Sequence, residues 1–166
     1  MHVSDLRATL VEIEEQCSKA GWQRGVVLYA LVPTADLLES APEMATALAE
    51  KAPDSLTAIE QDPIELESTI EEFLATLAWG PEVFGAALVL ERVIVTEEPP
   101  SELSGPELDR WLSSHGQEVR LAVAVLRDGQ RECAMRLRDY DNAASVMVGK
   151  DLLPGMADSL ALTFAD

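Results

Sequence analysis

The sequence predicts an α+β fold, with a mostly antiparallel sheet of about five strands and helices packed on it. Apolar residues recur every three or four positions near both ends of the chain, which is typical of amphipathic helices. Aliphatic runs between them suit buried strands, and two alternating segments predict a β-hairpin, which is an antiparallel pair. No repeat or linker divides the 166 residues, so we expect a single domain over residues 1–166.

The N-terminal helix is predicted over residues 5–20. Its apolar positions share one face, and we expect Ser4 to cap its start and Gly21 to end it. Residues 26–32 follow as a continuous apolar run, which favours a strand buried on both faces. The next predicted elements are short helices after Pro33 and Pro42 and a strand at residues 56–61.

The middle of the chain predicts a surface helix within residues 65–77, because its apolar residues share one face and its glutamates lie mostly off it. Residues 86–96 are the longest strand candidate and are nearly all aliphatic, except for Glu91 and Arg92. Those two side chains point to opposite faces of a pleated strand, so one must leave the core or the strand must kink. Residues 97–106 are rich in turn residues and predict a mobile loop.

Two helices and a short strand complete the predicted elements. Pro106 can occupy the first turn of a helix that ends near Ser114. The short strand is predicted within residues 145–148, and Pro154 begins the C-terminal helix. The residues expected to face inward on the first of these helices are Leu108, Trp111 and Leu112.

The hairpin at residues 117–138 is the most specific local prediction. Apolar residues alternate strictly on both of its strands, so the length of the turn decides which of them face each other. A two-residue turn would put the apolar set of one strand opposite the polar set of the other. A three-residue loop places Val123 opposite Cys133 and Leu121 opposite Met135, with Gly129 in the left-handed position of a bulge. We therefore predict the three-residue loop.

The opposite face of the hairpin is expected to point outward. It carries an excess of basic side chains, and like charges that face each other in a sheet are destabilising. The answering acids could come from the helix at residues 65–72 of the same chain, or from a second subunit or partner. The candidate interaction residues on this face are Arg120, Arg136 and Arg138.

Trp79 is the remaining candidate interaction residue. All three tryptophans lie near the ends of predicted helices, where packing at the edge of the core is their ordinary role. Trp79 is followed by Gly-Pro, and a turn at this point makes complete burial harder. An exposed tryptophan is a typical interface anchor.

The charge balance restricts the classes of partner. There are 30 acidic and 12 basic residues, a net charge of −18, which disfavours nucleic acids and anionic membranes. Residues 36–102 hold 16 acidic and two basic residues, whereas residues 117–138 hold five arginines and three acids. A basic protein partner is the electrostatic complement, although a strong net charge also serves solubility.

No motif for catalysis, cofactor or metal binding is present. The chain has two histidines, no CxxC pair and no HExxH, so we expect no metal site. It has no GxxxxGK[ST], GxGxxG or GxSxG, so we expect no phosphate-binding loop, no cofactor and no nucleophile elbow. No apolar run reaches the roughly 18 residues of a membrane span, and no secretory signal is visible.

The two cysteines, Cys17 and Cys133, lie among apolar neighbours. They are expected to be reduced and buried, which indicates the cytoplasm. A disulfide between them is the second interpretation.

Four stretches of the sequence carry a family resemblance. They are ALVPTADLLE, LTAIEQDPI, LATLAWGPEVFGAALVLERVIV and, above all, QEVRLAVAVLRDGQRECAMRLRDYDN. Together they resemble a small uncharacterised family of acidic, cytosolic actinobacterial proteins of unknown function, over nearly the whole chain from Val11 to Leu162. The resemblance implies no activity and no site residue.

The sequence thus favours a non-enzymatic, cytoplasmic protein-interaction module, chaperone- or adaptor-like, that uses a sheet edge or a hydrophobic groove. The alternative is an enzyme or small-molecule-binding protein whose site is not visible as a linear motif. We also expect a homodimer, because helices on one side of an antiparallel sheet leave its other face apolar. The second arrangement is a monomer whose helices cover both faces.

Overall fold

The helices and strands follow the predicted order along the chain. They come from a computed structural model that describes residues 6–22, 25–46, 55–62, 64, 69–95, 98–149 and 152–164. Its strands are β1 (Val27–Pro33), β2 (Leu56–Glu60), β3 (Gly85–Val95), β4 (Gly116–Leu126), β5 (Arg131–Leu137) and β6 (Met147–Gly149). Its α-helices are α1 (Leu6–Ala20), α2 (Thr34–Ser40), α3 (Ile70–Leu74), α4 (Gly105–His115) and α5 (Pro154–Ala161).

The strands form one antiparallel sheet in the order β2-β1-β3-β4-β5-β6. The α+β prediction is confirmed, with six strands in place of about five. All seven residues of β1 are buried, as its continuous apolar run predicted. The expected Ser4 cap and residues 65–68 of the predicted surface helix lie outside the described residues.

One face of the sheet is covered by α1. Its buried apolar residues follow the helical period from Leu6 to Cys17. Small side chains beneath the helix let its backbone approach the strands closely, which raises the packing density. These are the buried alanines of the central strands, Ala87, Ala122, Ala124 and Ala134.

The other face is covered by α3 and α5. Ile70 and Leu74 of α3 pack with Leu160 of α5 over the aliphatic side chains of β3 and β4. A single chain therefore covers both faces of its own sheet. In the part of the chain that the structure describes, no uncovered apolar face of the sheet supports the expected homodimer, so the homodimer stays a prediction that needs another surface.

The hairpin has the predicted register. Val123 is opposite Cys133, and Leu121 is opposite Met135. The Leu126 N–H donates to the Gln130 carbonyl at 2.9 Å, which closes a loop of three residues. Gly129 has φ = 96°, the left-handed conformation that favours glycine.

The ends of strands β3 and β4, residues 92–95 and 116–118, form a two-stranded ribbon at the edge of the core. Burial along β3 ends at Leu90, and Arg92 and Val93 are exposed. The strand does not break at Glu91 and Arg92, since its pairing with β4 continues to Val95. The aliphatic run therefore leaves the core in the second half of the strand.

Helix α4 connects the two strands at the end of the ribbon. None of its eleven residues, all of which are described, is buried. The expectation that its apolar side chains face inward is wrong in part, because they are only half-buried and belong to neither core layer. These side chains are Leu108, Trp111 and Leu112.

Candidate functional site

A cluster of buried charges joins α1 to the hairpin. The carboxylate of Glu14 accepts hydrogen bonds from Arg136, at 2.8 Å from Nε and 2.7 Å from Nη2. It also forms an ion pair with Arg120, whose Nη1 lies 3.5 Å from Oε2. Glu14, Arg120 and Arg136 are only 1%, 2% and 3% exposed. This is the most deeply buried ionic contact among the described residues.

Asp141 completes the cluster and balances its charge. Its carboxylate accepts a hydrogen bond from Nη1 of Arg136 at 2.9 Å and another from Nε1 of Trp22 at 3.0 Å. The remaining arginine, Arg120, donates from Nη2 to the carbonyl of Gly21 at 2.8 Å. Two guanidinium groups therefore meet two carboxylates, and the cluster is neutral overall.

The indole of Trp22 lies between two guanidinium groups. The guanidinium of Arg120 lies 4.4 Å from the ring centre and that of Arg138 lies 5.7 Å away, both in cation–π geometry. Arg138 is exposed and forms an ion pair with Glu118 of β4. The half-buried indole thus packs against two arginines of the hairpin.

The electrostatics of the cluster favour its charged form. The hydrogen bond from Trp22, followed by that from Arg136, lowers the pKa of Asp141 below its ordinary value of 3.8. The hydrogen bond to Glu14 raises the pKa of Arg136. Among the described residues, every buried side-chain nitrogen and oxygen has a hydrogen-bond partner. Glu14 of α1 contacts Arg120 of β4 and Arg136 of β5, so the cluster fastens α1 to the sheet.

Arg120 and Arg136 are therefore buried, although the sequence predicted that their face of the hairpin points outward. The expectation of exposure is wrong for these two, because α1 covers the strands and Glu14 supplies the acid. A signal was available in the sequence, since Glu14 falls between Leu10 and Cys17 on the apolar face of α1. Arg138 keeps an exposed side chain.

Trp79 is half-buried at the edge of the α3–α5 layer. Its ring stacks on Phe164, with centroids 6.0 Å apart, and its Nε1 donates to Oγ1 of Thr163 at 2.9 Å. These contacts join the turn before β3 to the C-terminal segment. Its role as an interface anchor, like that of Arg138, stays a prediction.

The two cysteines lie on opposite faces of the sheet. Cys17 lies on α1 and packs in the core layer between α1 and the sheet, whereas Cys133 packs in the core layer between the sheet and α5. Both are buried, and no disulfide joins them. The second interpretation, a disulfide between them, is therefore wrong, because the sheet separates the two sulfur atoms.

Three grooves surround the β3–β4 ribbon, and all of them include Val93. One, of about 380 Å³, lies between the ribbon and α4 and is lined by Leu112, Gly116 and Glu118. A second, also about 380 Å³, runs past Gly25, and a third, of about 470 Å³, runs past Val26 and Ile70. Val93 itself is 59% exposed.

Gly116 lets α4 turn directly into β4 beside Val93. A Cβ atom at this position would lie 2.7 Å from the Leu112 carbonyl oxygen and would also meet the side chain of Val93. At the end of α4, the rings of Trp111 and His115 stack with centroids 4.2 Å apart. The apolar residues of α4 and of the ribbon meet at this groove, and together we call them the ribbon surface. They are Val93, Val95, Leu108, Trp111 and Leu112.

In the residues that the structure describes, no group of three or more His, Cys, Asp and Glu side chains could hold a metal ion. Within the same residues, no helix has the length and apolar composition needed to cross a membrane.

A family model described as PPA1309-like protein matches residues 6–165. The chain belongs to the PPA1309-like protein family. This confirms the resemblance to a small uncharacterised family seen in the sequence. Neither a curated protein nor a solved structure gives a significant match to the chain.

The PPA1309-like match spans both the buried cluster and the ribbon surface, so the two can be compared as candidate sites. Glu14, Arg120 and Arg136 of the cluster are closed to solvent, and the cluster is neutral overall. The ribbon surface carries the exposed Val93 beside half-buried apolar residues and is bordered by grooves, while Ile94 of the ribbon packs against the core. Of the two, only the ribbon surface can receive another molecule without unfolding α1.

Proposed function

We propose that this chain is a non-enzymatic protein-interaction module, chaperone- or adaptor-like, that works in the cytoplasm and contacts its partner through the ribbon surface. One observation carries the proposal: an amphipathic helix of 11 residues with no buried side chain stands beside a strand whose Val93 is 59% exposed. The helix and the strand approach each other at Gly116, which lines the groove between them.

The physical argument concerns the use of apolar surface. Single exposed apolar residues are common on proteins and need no explanation. Here, however, Val93 lines one groove together with half-buried Leu112 and lies near half-buried Val95, and further grooves border the ribbon. Contiguous apolar surface rimmed by charged residues is typical of protein-interaction sites.

The enzyme alternative has less support. In the described part of the chain, the buried acids Glu14 and Glu132 are both paired with arginines, and His115 lies exposed at the end of α4. The cytoplasmic location is supported by two buried thiols that are not joined to each other, as expected in a reducing compartment.

Site-specific photo-crosslinking tests the proposal. A photoreactive residue replaces Val93 in one variant and Leu162, which is 70% exposed on the far side of the sheet, in a matched control. Irradiation in the native cytosol should give a discrete protein adduct from position 93 only. Equal adducts from both positions, or none from either, would contradict the proposal.

A second step separates a partner from a chance neighbour. The protein identified in the adduct is purified, and its affinity for the unlabelled chain is measured. Val93→Glu should weaken binding at least tenfold, whereas Leu162→Glu should leave it unchanged. A partner that binds both variants equally is not held by the ribbon surface.

A further inference from the structure

We infer that the partner adds an extended, basic segment as an extra strand along the open edge of β3. The open edge is the side of residues 92–95 that faces away from β4. This inference rests on the proposed function and specifies how the ribbon surface would bind.

The edge is open because β1 is shorter than β3. The pairing of β1 with β3 ends at Val27 opposite Val89, and Gly25 turns the chain with φ = 77°. Strand β3 continues to Val95, paired with β4 on its other side. Among the described strands, none lies along the edge at residues 92–95, a length of about 13 Å at about 3.3 Å per residue.

The direction of the backbone groups follows from the hydrogen bonds at the start of β3. The carbonyl of Phe84 accepts from the N–H of Arg127, in line with the β3–β4 register, so even-numbered residues of β3 face β4. Alternation along the strand then directs the N–H and C=O groups of Val93 and Val95 to the open edge. Those of Ile94 point to Gln117 of β4.

The pairing of β1 gives the same answer independently. The carbonyl of Leu28 accepts from Gln61, so Leu28 faces β2. Its neighbour Val27 must then face β3, and the residue opposite it, Val89, faces β1. Val93 and Val95 lie at even steps from Val89 and face the same side.

Space for side chains is available on both faces of an added strand. Its side chains would alternate between the groove past Gly25, on the α1 side, and the groove past Val26 and Ile70, on the α3 side. Both grooves end at Val93. Addition of a strand to an exposed sheet edge gains affinity from backbone hydrogen bonds and specificity from alternate side-chain pockets.

The negative charge of the chain favours a basic segment, rather than a second copy of this chain, as the strand added to the open edge. The chain carries a net charge of −18, so two copies repel each other. The grooves and α4 together hold six acidic and three basic residues. The acids are Glu71, Glu91, Glu107, Asp109, Glu118 and Asp139, and the bases are Arg92, Arg110 and Arg138.

The first test uses a defined probe, a fluorescent nine-residue peptide of alternating lysine and valine. We expect it to bind the full chain and to bind more weakly as salt is added. The same peptide with glutamate in place of lysine should bind at least tenfold more weakly. Equal binding of the two peptides would overturn the basic partner.

Amide hydrogen exchange locates the bound peptide. The N–H groups of Val93 and Val95 should exchange at least tenfold more slowly with the lysine peptide bound. The N–H of Ile94, which already faces β4, serves as the internal control and should change little. Binding without slower exchange at Val93 and Val95 would overturn the strand-addition mode.

Two further changes target the backbone alone. Val93→Pro removes one N–H from the open edge and none from the β3–β4 ladder, and proline is tolerated on such an edge. It should weaken peptide binding at least tenfold with an unchanged Tm, whereas Val93→Thr should retain binding. If Val93→Pro unfolds, methylating alternate peptide nitrogens must weaken binding to the wild-type chain, and unweakened binding overturns the inference.

The outcomes distinguish this inference from the proposed function. Specific adducts at position 93 without slower exchange at Val93 and Val95 would leave the protein-interaction role standing and overturn strand addition. A second copy of the chain would occupy the edge if three results came together. Light scattering would give twice the mass of the chain, the N–H groups of Val93 and Val95 would exchange slowly without peptide, and the peptide would not bind. Absence of specific adducts would overturn the role itself.

Discussion

The carboxylate of Glu14 is held by Nε and Nη2 of Arg136, a residue 122 positions further along the chain. The contact fastens the N-terminal helix α1 to the hairpin, with Arg120 as the second donor. A buried ion pair adds little stability relative to a well-packed apolar replacement, because desolvation opposes the attraction. Removal of one member is costly, since the other charges stay buried without it.

Glu14→Gln tests this asymmetry. We expect the free energy of unfolding to fall by about 3–5 kcal/mol, because two buried guanidinium groups lose their shared carboxylate. The measurement is urea unfolding of the two proteins at pH 7. Glu15→Gln, at an exposed position of the same helix, is the matched control and should change the value by less than about 0.5 kcal/mol.

Replacement of the whole ionic core should undo much of that loss. We expect a triple variant, Glu14→Leu with Arg120→Met and Arg136→Met, to be more stable than Glu14→Gln, because the three most deeply buried charges of the cluster no longer have to be desolvated. The same urea titration compares them. A triple variant as unstable as the single one would mean that the arginines contribute mainly through their packing.

Acid should weaken the fold in part through Asp141. Its pKa is lowered in the folded chain, so its contribution is present above its ordinary pKa of 3.8 and is lost as the pH falls through the lowered value. The side chain is 39% exposed, so we expect at most about 1 kcal/mol at neutral pH. Unfolding of Asp141→Asn should depend less steeply on pH below 4 than unfolding of the wild type. Parallel curves would contradict this assignment.

The close approach of α4 to the ribbon should depend on Gly116. Gly116→Ala places a methyl group against the Leu112 carbonyl and Val93, and we expect a cost of about 1–3 kcal/mol from overpacking. Gly155→Ala is the control, because a Cβ atom there meets nothing within 4 Å and alanine favours the helix. It should be neutral or stabilising by up to about 1 kcal/mol. Thermal unfolding of both variants gives the comparison.

Local spacing alone was sufficient for the elements and for the hairpin. The period of α1, the buried run of β1 and the three-residue loop at Gly129 each depend on neighbours a few positions apart. Because apolar side chains alternate with a period of two, the two apolar sets of the hairpin share a face in the register with Val123 opposite Cys133, and a shift of one residue would separate them. These features were predicted because a shift by one residue would turn every apolar side chain to the wrong face.

The accessibility of each face was decided only by the tertiary structure. The arginines of the hairpin are buried because α1 packs over them, and Glu14 lies 106 and 122 positions from its two partners. Conversely, Val93 belongs to the longest aliphatic run but is exposed, because the layer beneath α1, on its own face of the sheet, ends before the strand does. Sequence spacing determines which side chains share a face, whereas burial depends on what long-range packing places over that face.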